Sequence, residues 1–180
     1  SELPNIYLLH GDLTQSEVNS LYNHPKVKAM VSFTHGEGFG RPLLEFSVTG
    51  KPILASNWSG HVDFLKHSIK LAGELKPIHP SSVQGDMIIK ESKWFYVNYG
   101  YASKLLKQVY TNYKDYVSDA RKQARVSREE FNKVKMTEKF TEILDKYIVK
   151  QVPLQLPKLK KVEKKTEIKL PKLKKVTNEQ

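Results

Sequence analysis

The residues best placed to do chemistry lie in the stretch HGEGFGRPLLEF, residues His35 to Phe46. Glu37 and Glu45 stand there with seven residues between them, and Gly36, Gly38 and Gly40 crowd around the first. Closely spaced glycines let a backbone approach a ligand, and N–H groups at a helix start favour an anion such as phosphate. The spacing predicts Glu37 at a loop tip and Glu45 a turn or two along the helix that follows. The bland alternative is two surface acids near a helix start, where the dipole favours negative charge. A dinucleotide fingerprint fits poorly, because the glycines read G-x-G-x-G rather than G-x-G-x-x-G.

Other residues have less specific readings. Arg41 can neutralise phosphate or point into solvent. Ser59 and Gly60 close the polar turn of NWSGHVDFL, and His61 and Asp63 after it either touch a ligand or cap a short helix. His35 reads as structural. His10, His24, His67 and His79 show no metal-ligand spacing, and no carboxylate cluster suggests a dedicated metal site.

The elements that must position these residues read as strands alternating with short helices. NIYLLHG, residues Asn5 to Gly11, is a short apolar run predicted as a strand, and Thr14 with Glu17 forms a capping box for the helix after it. Val27 to Gly36 predicts a buried parallel strand that ends at the glycine cluster. Leu43, Leu44 and Val48 then fall at helical spacing, with Pro42 near the helix start and Gly50 at its end. Lys51 to Ser56 is a further buried strand, and SIKLAGEL one more. This alternation over residues 5–76 predicts an α/β fold with a parallel sheet and places the glycine loop at a strand's carboxyl end, where such sheets bind ligands.

From Ile78 to Tyr101 the chain reads as an irregular, partly exposed connection. Beyond it about fifty residues lack proline and glycine, and Leu105, Leu106, Val109 and Tyr113, then Phe140, Ile143, Leu144, Tyr147 and Ile148, recur at three and four. This predicts two or three helices packing on the sheet.

The net charge of +11 invites a nucleic-acid reading, but its distribution argues otherwise. Lys150 to Gln180 carries ten lysines against Glu163, Glu167 and Glu179, a net of +7 that leaves +4 for the rest. That tail repeats LPKLKKV at Leu156 and again at Leu170. Its proline and lysine oppose a packed helix, and it has no arginine or aromatic residue to stack on bases. A solvated extension comes first, a partner-docking motif second and a polyanion contact third. The predicted organisation is a domain at 1–150 and a tail at 151–180. No signal peptide and no membrane-spanning run is visible, and the lack of cysteine excludes disulfides and thiolate metal sites; a cytoplasmic location is expected.

The segment HGEGFGRPLLEFSVTGKPILASNWSGHVDFL resembles the donor-binding half of a retaining family 4 glycosyltransferase of the GT-B fold. That family's signature is a glutamate, Gly-Phe-Gly, and a second glutamate after seven residues, here Glu37, Gly38, Phe39, Gly40 and Glu45. FSVTGKPILASNWSG is similar to the family's continuation of helix, small-residue turn, strand and polar glycine turn, and the likeness runs over about residues 5–148. It implies a partial Rossmann-like sheet that binds a nucleotide-sugar substrate, with no other cofactor and no bound metal. It assigns Glu37 to the donor sugar near the reacting carbon as the catalytic carboxylate, and Glu45 to the ribose hydroxyls. Gly38, Phe39, Gly40, Arg41, Ser59, Gly60 and His61 complete the implied donor site.

The chain departs from the family in starting after the first two strand-helix units of the donor domain, one of which carries an arginine and a lysine that grip the phosphates. These residues also do not include the family's acceptor-binding domain, so a fragment, a subunit completed by a partner or a remodelled relative is expected, with a nucleotide-sugar and a completing domain or protein chain as partners. Strands one and two sit between three and four in a sheet ordered 3-2-1-4-5-6, so their loss separates Asn5–Gly11 from the strand at Val27. The alternative function is a non-catalytic binding or assembly module that keeps the fold, with its basic tail docking a partner.

Overall fold

The computed structural model describes residues 4–148 and Lys172. The expectations for the repeat tail, 151–180, otherwise lie outside the described residues. Helix α1 (Gln15–Asn23) is followed by strand β1 (Met30–Ser32), helix α2 (Arg41–Ser47) and strand β2 (Ile53–Ser56). A 3-10 turn at Gly60–Asp63 leads to β3 (Ile69–Leu71), and β4 (Gly73–Pro77) follows at once. A second 3-10 turn, Pro80–Ser82, precedes β5 (Lys93–Val97), and the chain ends in α3 (Tyr99–Thr111), α4 (Tyr113–Glu130) and α5 (Lys133–Tyr147). β1, β2 and β3 form a parallel sheet in that order, while β4 and β5 pair antiparallel. The α/β architecture with a parallel sheet is therefore present as expected.

β2 is the centre of this sheet and is buried throughout. Alternation along the strand sends Ile53 and Ala55 to one face, against Leu43, Phe46, Phe64 and Leu65. Leu54 points the other way, into a cluster with Leu71, Phe95, Val97, Ala102 and Val109. Each large side chain so enclosed contributes about 1.5–3 kcal/mol of burial free energy.

Local chemistry fixes the helices beside the sheet. Thr14 Oγ1 accepts from the Glu17 N–H (3.3 Å) while the Glu17 carboxylate accepts from the Thr14 N–H (2.8 Å), so the expected capping box opens α1. At the other end the Lys51 ammonium donates to the carbonyls of Tyr22 (2.6 Å) and His24 (2.9 Å), which ties α1 to the entry of β2. Burial, then the charge of Lys28, holds the Lys51 pKa below its ordinary value.

Four expectations are corrected. Asn5–Gly11 is not a strand: it pairs with nothing among the described residues and its apolar side chains stand in water. A strand needs a neighbour to take its N–H and C=O groups, and β1 is not joined to it. SIKLAGEL is not one strand but two, because the chain leaves the parallel sheet at Ala72. Gly73 allows that departure, since an added Cβ there would lie 2.2 Å from the Tyr96 carbonyl oxygen. The supposedly irregular stretch from Ile78 contains β5, whose Phe95 and Val97 fill the second core cluster. Finally, α5 buries no residue, and Phe140, Ile143 and Tyr147 remain exposed.

Candidate functional site at the carboxyl edge of the parallel sheet

Because β1, β2 and β3 run parallel, the loops after β1 and β2 emerge at the same edge. The first carries Glu37, Gly38, Phe39 and Gly40; the second carries Trp58, Ser59 and Gly60. They are laced together. The Glu37 N–H donates to Ser59 Oγ (3.0 Å), Ser59 Oγ–H donates back to the Glu37 carbonyl (2.6 Å), and the Gly60 N–H donates to that same carbonyl (3.0 Å). The loops touch so closely that a Cβ on Gly60 would fall 2.0 Å from the Gly38 carbonyl oxygen. Ser59 reaches this position with φ of 81°, the left-handed region that a residue with a Cβ enters at a cost of about 1–3 kcal/mol.

Gly40 turns the first loop into α2. Its φ is 85°, and an added Cβ would lie 2.9 Å from His61 Cβ. His61 is buried; its Nε2–H donates to the Ser56 carbonyl (2.6 Å), which leaves Nδ1 as an acceptor with no protein partner among the described residues. Gly38 and Phe39 are exposed, and no hydrogen bond among the described residues takes up either N–H. The Phe39 ring leans on Phe64 and Phe131, with centroids 5.0 and 6.3 Å away. The loop therefore offers backbone donors on a fixed frame. α2 has only seven residues, so the frame, rather than a long helix dipole, supplies the positioning.

The structure thus brings Glu37, Gly38, Gly40, Ser59, Gly60 and His61 together. Glu45 faces a different depression, of about 350 Å³, between α1, α2 and α4. Gln15, Asn19, Tyr22, Leu44 and Phe131 line it with Glu45. Arg41 Nε donates to Glu45 Oε1 at 2.6 Å, a half-solvated i,i+4 pair, so Arg41 is held by Glu45 in this structure. Burial, then the Glu45 charge, raises the Tyr22 phenol above its ordinary pKa.

Comparison of the chain with protein-family models, with curated proteins and with solved structures returned no match. Among the described residues no group of three or more His, Asp or Glu gathers as metal ligands would, and no helix is long and apolar enough to cross a membrane.

Three contributions escaped the sequence. The expectation of a structural His35 is made specific: its Nδ1–H donates to the Phe95 carbonyl (2.8 Å) and its own carbonyl accepts from the Phe95 N–H (3.1 Å), so β5 is fastened to the glycine loop. The imidazole stacks on Trp94, with centroids 5.1 Å apart and planes within 10°. Trp58 lies parallel to Phe95, half-exposed beside the laced loops. Gln15, Asn19 and Tyr22 of α1 turn toward Glu45. Their spacing of four and three puts them on one face of the helix, but nothing in the sequence says which element that face meets.

Proposed function

We propose that the chain binds the nucleotide-sugar donor of a retaining glycosyl transfer. The observation that carries this reading is the lacing of the Glu37–Gly40 loop to Ser59 and Gly60 at the carboxyl edge of parallel strands. It holds exposed backbone donors beside a carboxylate, which suits a pyrophosphate joined to a sugar. The depression beside Glu45 supports the same reading: its apolar wall with Gln15 and Asn19 suits a nucleobase, and a carboxylate suits two ribose hydroxyls. In this proposal Glu37 faces the sugar, Glu45 the ribose, and Gly38, Phe39 and Gly40 the phosphates, with Ser59, Gly60 and His61 supporting them. Arg41 must release Glu45 or stay beside it as a phosphate counter-charge. Transfer itself also requires an acceptor held in reactive geometry, and the residues named here concern the donor.

A second reading, a binding or assembly module with no chemistry, is favoured by the apolar surface left bare at Ile6–Leu9 and along α5. Calorimetric titration with UDP, GDP and ADP and their glucose and mannose conjugates separates the two. The donor reading expects one nucleotide to bind saturably and Glu45→Ala to weaken it about 10- to 100-fold, the cost of a lost charge-assisted hydrogen bond. Absence of binding by a demonstrably folded chain leaves the assembly reading.

A further inference from the structure

β1 is an outer strand of the parallel sheet, and its free flank is suited to receive another strand. The Met30 N–H donates to the Pro52 carbonyl (3.0 Å), so alternation turns the N–H and C=O of Val31 away from β2. No strand among the described residues pairs on that side. Protein edges are commonly blunted by charge, proline or a bulge, yet Met30–Ser32 has neither charge nor proline. Val31 and Phe33 are exposed there. Beside the strand opens an apolar depression of about 410 Å³, walled by Ala29, Leu54, Leu106, Val109 and Tyr110.

The same chain carries a segment of matching kind. Ile6, Tyr7, Leu8 and Leu9 are 89%, 87%, 89% and 67% exposed and pair with nothing among the described residues. Four consecutive large apolar residues, apolar at both parities, are the composition of a strand covered on both faces. Together they present on the order of 600 Å² of mainly apolar surface, as much as the largest patch on a typical monomer. If two copies exchange them reciprocally, the segments alone bury on the order of 1,200 Å², the lower bound for a stable specific interface, before the flank and its apolar depression are added. A two-fold exchange closes at two copies and leaves neither segment nor flank unpaired.

We infer that two copies of this chain associate by reciprocal strand exchange, Ile6–Leu9 of each adding to the free flank of β1 in the other. Within one copy the segment pairs with no strand among the described residues.

A chain without cysteine allows a direct test. Leu8→Cys and Val31→Cys chains are prepared separately, mixed, and treated with a short bismaleimide; a heterodimeric product well above either chain alone is expected. Sedimentation of the natural sequence gives twice the 20.7 kDa chain mass at micromolar concentration. Leu8→Asp weakens this association at least about 30-fold, as loss of a buried anchor does, without changing the circular dichroism, because Leu8 supports nothing within its own copy. Val31→Pro deletes the outward N–H, keeps the Met30 bond to Pro52, and weakens association likewise. The inference is overturned by a monomer throughout that range, by a dimer indifferent to both substitutions, or by a Leu8→Cys/Val31→Cys chain that crosslinks only within itself.

Discussion

Gly60 carries more of the site than its size suggests. Any side chain there meets the Gly38 carbonyl, and the loops cannot separate without losing the three hydrogen bonds that Glu37 shares with Ser59 and Gly60. Gly60→Ala is therefore expected to destabilise the fold by about 2–4 kcal/mol, whereas Ser59→Ala, which loses hydrogen bonds but adds no collision, costs about 1–2 kcal/mol. Urea melts of both variants check this order; an alanine at position 60 that leaves the midpoint unchanged means the loops are not laced in solution. At this scale the sequence was informative where glycine spacing spoke for itself, as at Gly38 and Gly40. It placed Ser59 in the polar turn of the implied donor site but not its bracing of the glycine loop, because a serine that enters the left-handed region to brace another loop looks like any other polar turn residue.

Among the elements, α1 shows what local signals can do. Its start was legible because Thr14 and Glu17 satisfy each other's backbone within four residues. Thr14→Ala should cost about 1 kcal/mol. The bonds from the Thr14 backbone N–H, then from its hydroxyl, hold the Glu17 carboxyl below its usual pKa. The folded state thus prefers the charged form: the capping contribution is complete above the unfolded carboxylate range and disappears as pH falls through the depressed value. Protection factors of the first-turn amides of α1, followed by NMR with the intrinsic slowing of exchange in acid divided out, should fall as the pH drops through that range, and Thr14→Ala should flatten that fall. The same logic explains the failures. Asn5–Gly11 and β5 are settled by pairing with distant partners, one absent from the described residues and the other supplied by Gly73–Pro77 after a long connection. Apolar composition alone cannot distinguish a strand that finds a neighbour from one that does not.

For the molecule as a whole, the helix-strand alternation up to β3 was readable and gave the sheet, its direction and the edge that carries the glycine loop. The way α4 closes over α2 was not. It depends on a buried polar thread in which the Ser47 and Ser127 hydroxyls are hydrogen-bonded (2.7 Å) and Gln123 Nε2 donates to Ser127 Oγ (3.0 Å) and to the Phe64 carbonyl (2.8 Å). Periodicity marks Ser127 and Gln123 only as polar residues on a helix. That thread also sets an order in time. β1 meets β2 and β2 meets β3 through residues 23 and 15 apart, Met30 with Ile53 and Leu54 with Ile69, whereas Ser47 meets Ser127 across 80. Loop-closure entropy favours the nearer pairings, so the sheet is expected to form first and α4 to dock after the rate-limiting step. Ser127→Ala, worth about 1 kcal/mol, should accordingly raise the unfolding rate about fivefold and leave refolding almost unchanged in a denaturant chevron. Slowed refolding would instead put α4 in the folding nucleus.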